Sequence, residues 1–468
     1  MRVPIFSGIY SDSGPDLRIS YPVNMVPTPL PNGVSDGYLR PADGLVEVGQ
    51  ATGLGPARGG INWQGTLYRV MGTKLVSISA DGTVTTLGDV GDGGPVSMTY
   101  DFDRLAIISG GGLYYYDGST VTQVTDPDLG YILDGVWIDG YFFLTDGEFL
   151  IVTDLTDPTS INPLRYASAE SNPDPIVAVL RLRGEVYAVG RYTIEPFDNV
   201  GGTGFPFDRN SGGIMVRGAV GPKACTVVDD FIAFVGGAEN EAPGVWLGRN
   251  GQTQKISTVE IDRILADYTE AQLATAVLEN RNDNAHQHLY LHLPDRTLVY
   301  DITGTAAAGA AIWFVLTSSL TGHARYRGRY FVWAYDNWQV ADTDSVRVGI
   351  VSQTTSAHWG SKVRWEFATV IAYNESRGAL FHELELVSLT GRTALGVDPT
   401  VATSYSLDGV EWSQDRAIYA GKLGNRSKRI IWRRNGSMRS TRMQRFRGNS
   451  DAHLSVLRLE ATLEPLQW

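Results

Sequence analysis

Ten cations and no acidic residue fall between positions 422 and 447: Lys422, Arg426, Lys428, Arg429, Arg433, Arg434, Arg439, Arg442, Arg445 and Arg447. Side chains of this type at this density suit two chemistries. They grip nucleic-acid phosphates, or they pair with the carboxylates of a protein, arginine bidentately. The third reading is a solvated hairpin with no partner. The rest of the chain bears on the choice. With 51 acidic against 39 basic side chains the net charge is −12, so everything outside these ten cations sums to −22. A single basic stripe on so acidic a chain favours self-assembly or a protein partner over DNA. Arg433 and Arg434 stand beside Asn435-Gly436, a tight-turn pair, which predicts guanidinium forks projecting from a hairpin tip.

Other chemistry-bearing residues are weaker. His286, His288 and His292 share parity on one run, and imidazoles so spaced can bind zinc or copper. No carboxylate is adjacent in sequence to orient them, so a polar outer face is expected, with Leu289, Leu291 and Leu293 inside. Residues 201–204 are glycine-rich but lead into Pro206 and Asp208 rather than into the helix a phosphate cradle needs. Residues 406–412 resemble an Asp-box turn, with Ser406, Asp408 and Trp412 bracing a hairpin. Asp101, Asp103, Asp139, Asp146, Glu170 and Asp174 read as turn carboxylates. Nucleophile elbows, Walker loops and HExxH helices are missing. The lone Cys225 supplies neither an internal disulfide nor a cysteine-based zinc site. No catalytic, cofactor-binding or metal-ligating residue is therefore expected.

These side chains need a scaffold. In 468 residues, 43% are hydrophobic and only 19% charged, with 53 Gly and 21 Pro. That balance excludes wholesale disorder and signals many turns. A short apolar run recurs around Leu67, Leu105, Phe142, Val186, Ile232, Leu289 and Tyr330, spaced 37 to 57 residues apart. The period fits four-stranded propeller blades. Asp81-Gly82, Asp117-Gly118 and Asn250-Gly251 mark hairpins inside the units. The expected fold is all-β: a β-propeller over 50–355, with seven blades or six as the fallback, and a C-terminal antiparallel β-sandwich over 356–468 that carries the basic stripe. A pair of β-sandwiches is the alternative. Thr269 with Gln272 forms a capping-box pattern, and one inserted helix is expected over 261–280. Residues 1–49, with Pro22, Pro27, Pro29 and Pro31, read as an extended arm that lends a strand near Leu45 to Val48 to close the ring. The start lacks the apolar segment of a signal peptide, and the most apolar stretch, 306–316, is too short to span a membrane. A soluble chain with no membrane insertion is expected, indifferent to redox or at home in a reducing compartment.

Several segments together resemble the tail-hub proteins of short-tailed phages, also called packaged-DNA stabilisation proteins. They are Tyr21-Pro-Val-Asn-Met25, Gly37-Tyr-Leu-Arg40, Tyr68-Arg-Val-Met-Gly-Thr-Lys-Leu75, Ala169-Glu-Ser-Asn-Pro-Asp174 and Thr193-Ile-Glu195. Tyr268-Thr-Glu-Ala-Gln-Leu-Ala-Thr275, His292-Leu-Pro294, Val299-Tyr-Asp301 and Lys428-Arg-Ile-Ile-Trp-Arg433 continue the series across nearly the whole chain. The family more often carries an aromatic residue where Pro196 stands. The resemblance implies a virion protein of the phage tail, made in the host cytoplasm, with no enzymatic activity and no cofactor. It implies a hexameric homo-oligomer, a ring below the portal and its adaptor protein. Such a ring continues the DNA channel, helps retain the packaged genome, and attaches a tail needle or plug and tailspikes or fibres. Two other functions compete: a carbohydrate-binding or depolymerising propeller using Trp137, Trp246, Trp313, Trp333 or Trp338, and a cytosolic WD-like scaffold.

Overall fold

Turn residues cut this chain into short antiparallel strands, and most of the propeller strands sort into sheets of four. The computed structural model describes residues 2–5, 8–11, 17–30, 37–169, 171–202, 204–283, 286–374, 377–449, 451 and 454–466. Pro31, Glu170 and Thr203 lie outside the described residues. Between positions 44 and 352 seven sheets follow one another, spanning 57–89, 97–123, 134–168, 176–209, 218–255, 277–316 and 328–352. The second sheet shows how they form. Leu105–Ser109 and Gly112–Tyr116 pair directly, with Ser109 opposite Gly112. Gly110 and Gly111 make the two-residue turn at φ 57° and 86°, the mirror-image geometry that matches strand twist. Asn250-Gly251 does the same at 49° and 75°. Asp117-Gly118 works differently: only Gly118 is left-handed, and the Asp117 carboxylate accepts from the amides of Ser119 and Thr120 at 2.8 Å.

Every residue of Leu105–Ser109 is buried, because each sheet is covered on both faces by its neighbours. Val70 and Leu75 of the first sheet pack on Leu105 and Ile107. Ala106, Ile108 and Leu113 pack on Phe142 and Leu144 of the third. The first strands, such as Ala57–Trp63, Ser97–Tyr100 and Asp134–Ile138, touch from sheet to sheet, and Gly328–Ala334 of the seventh returns to Ala57–Trp63. The sheets thus form a closed ring around an axial cavity of about 370 Å³. Lys223 donates across it to Ser97, which donates to Asp134.

The seventh sheet takes its outer strand from the other end of the chain. Gly44–Gln50, at the place of the strand expected near Leu45 to Val48, pairs antiparallel with Arg347–Ser352, Leu45 opposite Val351 and Val46 opposite Ile350. The strands approach closely at Gly349, where a Cβ would stand 2.0 Å from the Val46 carbonyl oxygen.

The segment before that strand is more than an arm. Met25–Pro29 and Gly37–Pro41 pair with each other and extend a C-terminal sheet, next to Ser455–Pro465, Ala379–Leu389 and Ile430–Arg433. Pro27 and Pro29 sit on the edge strand, where part of the ladder needs no N–H. Asn24, at φ 50°, donates to the carbonyls of Thr317 and Arg364 and accepts from the Thr317 amide. It thereby joins the sixth propeller sheet to the C-terminal domain. A second C-terminal sheet orders Trp365–Ala368, Thr441–Gly448, Thr400–Ser406 and Arg416–Tyr419. Between the two sheets lie Phe367, Phe381, Leu384, Trp432, Phe446 and Val456, with Met25 and Leu39.

The helical insertion differs from expectation. Instead of one helix over 261–280 there are two short ones, Val259–Ala266 and Glu270–Leu273. Asp267 ends the first, and the Thr269–Gln272 capping box starts the second. Val277–Asp283 is the first strand of the sixth sheet. Val277 and Leu278 lie three and four residues after Ala274, a spacing that also suits a helix, but ladder pairing with His286–His292 wins. A third helix, Ile302–Ala308, is capped by Asp301 and Gly309. Among the described residues no helix is long and apolar enough to cross a membrane.

Where the closing strand meets the C-terminal domain, His358 bridges Leu45 and is buried, with Ser318 Oγ 2.8 Å from its Nδ1. Burial, helped by Arg327 and opposed by Asp451, lowers its pKa to about 3. The folded chain then binds fewer protons here than the unfolded one. This contribution to stability is complete above the unfolded value of 6.5 and is lost as pH falls toward 3. The expected slope is at most about 1.4 kcal/mol per pH unit from this one group. Urea unfolding at stepped pH should show it, and His358→Gln should flatten the profile between about pH 6 and pH 4.

Candidate functional site

The ten cations of 422–447 do not form one stripe. The segment runs through a loop, an edge strand of one C-terminal sheet, and a central strand of the other. Lys422, Arg426 and Lys428 are exposed in the loop before Ile430–Arg433. Arg429 precedes that strand and Arg433 ends it, and both reach sideways to Ala379–Leu389. Arg429 forks onto Glu385, with Nε–Oε1 at 2.7 Å, and Arg433 Nε stands 3.4 Å from Glu383. The hydrogen bond from Arg429 holds the Glu385 carboxyl below its usual range. Both arginines are well exposed, so each pair contributes little to stability.

The Asn435-Gly436 turn is not a hairpin tip. Ile430–Arg433 and Ser437–Met438 both pair with the same strand, Ala379–Leu389. Residues 434–436 are a bulge in one edge strand, with Arg434 at φ 58° and Gly436 at 76°. Asn435 is buried and donates to the Trp432 carbonyl at 2.8 Å. The expected turn chemistry is present, but the amides of Arg434 and Asn435 bond to His382 and Phe381 across the sheet, so the chain bends and continues. Arg434 and Arg439 nonetheless remain exposed.

The last three cations belong to Thr441–Gly448. Arg442 points into the sandwich and is 1% exposed. Its guanidinium lies 4.2 Å from the Phe381 ring and 4.0 Å from that of Tyr405, and it donates to the Asn435 carbonyl at 2.7 Å and to Gln444. Burial lowers its pKa to about 10. Arg445 lies over Trp412 at 4.1 Å, and Arg447 pairs with Asp415. Among the described residues no carboxylate pairs with Lys422, Arg426, Lys428, Arg434 or Arg439. These five are the cations that remain available to a partner. Sequence reasoning missed Arg416, outside the stripe, which donates to the carbonyls of Arg433 and Arg434 and ties the two sheets together at that edge.

The turn carboxylates do local work. Asp101 and Asp146 each accept from two amides downstream, and Asp174 accepts from Thr193. In the Asp-box-like turn, Asp408 accepts from Val410 and Glu411 at 2.9 Å, which lowers its pKa. Gly201 and Gly202 precede the strand Phe207–Arg209, not a helix. Trp246 and Trp313 are core residues, whereas Trp333 is half exposed against Trp338. Cys225 is buried, which pushes its thiol up to about 12.

The histidines are a correction. His288 and His292 are buried rather than on a polar outer face, because His286–His292 is an inner strand covered on both sides. A carboxylate does lie beside them: Asp301, from the neighbouring strand Thr297–Asp301, stands directly opposite His288.

Comparison with known proteins matches the chain to two family models in tandem. Residues 1–356 match "Bacteriophage P22 Gp10, beta-propeller" and residues 364–464 match "Bacteriophage P22 Gp10, beta-sandwich". The chain is 29% identical over 457 residues to the tail hub protein gp10 of Salmonella phage P22, covering 94% of each. Among solved structures it is similar to the Pan2 WD40 domain of Neurospora crassa, with TM-score 0.43 and 11% identity, covering 67% of this chain and 96% of that one. It is similar to the N-terminal domain of Nup159 at TM-score 0.41 and 10% identity, covering 66% and 95%.

The two kinds of arginine in this segment should separate by mutation. Arg442→Ala leaves a cavity between two aromatic rings and the Asn435 carbonyl without its donor, an expected loss of about 3 kcal/mol. Arg426→Ala, on an exposed loop, should stay within about 0.5 kcal/mol of the parent. Denaturant unfolding of the two variants measures the difference directly.

Proposed function

The chain belongs to the bacteriophage P22 Gp10 family, and we propose that it is a structural tail-hub subunit of a phage virion. The observation that carries this reading is the tandem match: propeller and sandwich occur in the same order as in a tail hub, across nearly the whole of both chains. On this reading six copies form a ring below the portal and its adaptor. The ring continues the DNA channel, helps retain the genome, and holds a needle or plug and spikes or fibres. The axial cavity of one propeller is crossed by the hydrogen bonds of Lys223, Ser97 and Asp134. A duplex therefore has no path through one subunit, which supports a conduit formed between copies.

Lys422, Arg426, Lys428, Arg434 and Arg439 are the contact residues we assign to a neighbouring protein surface. The acidic remainder of an identical copy, at −22 outside the stripe, offers complementary carboxylates. A basic patch on one side and acidic surface elsewhere suits a head-to-tail interface, the type that closes into rings. Arg429, Arg433 and Arg447 already hold carboxylates within the chain, Arg442 is interior and Arg445 lies over Trp412, so these five of the ten are set aside as primary contacts. The Lys428→Glu, Arg434→Glu, Arg439→Glu triple variant should fold normally and fail to assemble onto portal–adaptor complexes. Each desolvated pair lost costs ~2–5 kcal/mol, whereas rim pairs mainly slow association. Binding to short duplex DNA is measured beside assembly onto DNA-free tails. Normal assembly with lost DNA affinity would mean that the patch faces the genome.

A non-enzymatic role accompanies this reading: Asp101 and Asp146 bond to their own backbone, and burial holds the single thiol protonated. Assays against polysaccharides and nucleotides should give turnover no higher than a heat-denatured control. Saturable turnover would favour the carbohydrate-active alternative.

A further inference from the structure

We propose that His286, His288 and Asp301 form a binding site for a divalent transition-metal ion of the zinc type, built into the sixth propeller sheet. His286 and His288 are two residues apart on one strand and so share a face, and Asp301 is the cross-strand partner of His288. One donor atom from each lies within 4.8 Å of the others. His286 Nδ1 is 2.6 Å and His288 Nε2 3.7 Å from the same oxygen, Asp301 Oδ2. Tetrahedral zinc with ligands at about 2.0–2.1 Å places its donors roughly 3.3 Å apart. Both Asp301–imidazole distances reach that geometry by sub-ångström shifts, with the proton between His286 and Asp301 released to solvent.

A second observation points the same way. His288 is 1% exposed, and neither of its ring nitrogens has a hydrogen-bond partner. A buried imidazole with two unused nitrogens is costly as it stands, and a metal ion at Nε2 would give one of them its ligand. The surroundings are prepared as well. Asp301 Oδ1 accepts from the Gly304 amide at 2.7 Å, which fixes the carboxylate and leaves Oδ2 to face the imidazoles, as outer partners of metal ligands do. Gly304 leaves that oxygen its space, since a Cβ there would stand 2.3 Å from it.

Charge permits a cation. Arg40 and Arg281 are the cations nearest the cluster, and each is held by Asp43 and Asp283. Those two pairs balance one another, and Asp301 faces only the His286 and His288 imidazoles. The His286 side chain is 22% exposed, which gives solvent access for the ion and for a water in the fourth position. Such an ion would clamp the second and third strands of the sixth sheet to the start of helix Ile302–Ala308.

The full chain, freed of metal by chelation and dialysis, is titrated with Zn²⁺ by calorimetry, and with Co²⁺ by visible absorption. One ion per chain is expected, with a raised unfolding temperature and a tetrahedral Co²⁺ spectrum. His286→Ala, at the exposed edge of the site, should weaken binding by about tenfold or more. His382→Ala, at the exposed His382–Glu464 pair, should leave it unchanged. Absence of stoichiometric binding by the parent overturns the proposal without any variant. Unchanged affinity in His286→Ala, with the fold verified in the presence of chelator, overturns it equally.

Discussion

A ring of sheets made by one chain has a seam, and the way this seam is sewn constrains the rest of the molecule. The seventh sheet is completed by Gly44–Gln50, a strand that precedes the first sheet in sequence. Ring closure therefore depends on hydrogen bonds between residues some 300 positions apart, with their large loop-closure entropy. The same strand is held from its other side. The amides of Gly44 and Leu45 donate to the carbonyls of Thr355 and Ala357, and Trp359 donates to Leu45. Those residues lead into the sandwich. Seam, linker and sandwich thus share one set of backbone contacts, and loosening one exposes the others.

The chain entering this seam is fixed by a buried ion network. Arg40 and Asp43 of the N-terminal segment meet Arg281 and Asp283 of the sixth sheet, with Arg281 to Asp43 at 2.9 Å. Burial alone would raise the Asp43 carboxyl, but the Arg281 and Arg40 guanidiniums overcome it and hold the pKa below its usual range. Desolvation makes such networks poor sources of net stability. Their effect here is selection of register, because a slipped arm would leave at least one charge buried alone. Asn24 adds a second lock of the same kind, with three hydrogen bonds to backbone that only one docking satisfies.

Much of this architecture was legible because it rests on local rules. Repeating apolar runs and two-residue glycine turns such as Gly110-Gly111 report sheets directly, and the run from Leu45 marked the closing strand. What escaped depends on distant partners. Val277 and Leu278 fit helix and strand equally well, and only pairing with His286–His292 decides between them. Met25–Pro29 looked structureless because its prolines forbid a central strand, yet they permit an edge. Asp301 is 13 positions from His288 and becomes its neighbour only through sheet register. The basic stripe misled in a related way. Charge is counted along the chain, whereas contact is set by which sheet and which face each residue occupies.

That last point limits how this surface can associate. Ile430–Arg433 is the edge of its sheet, and an exposed edge is a template for pairing with an identical edge on another copy. The bulge at 434–436 bends the strand there, Asn435 turns inward, and Arg416 occupies the carbonyls of Arg433 and Arg434. Arg434 stands exposed at the bulge, while Arg429 and Arg433 turn back onto Glu385 and Glu383. Two copies brought edge to edge would find the Arg433 and Arg434 carbonyls already used. Strand addition is therefore disfavoured at the bulge. Any stable contact made there must come from guanidinium and ammonium groups reaching carboxylates on a different surface. Under the proposed tail-hub reading, such a contact brings unlike faces together, the arrangement of a head-to-tail interface.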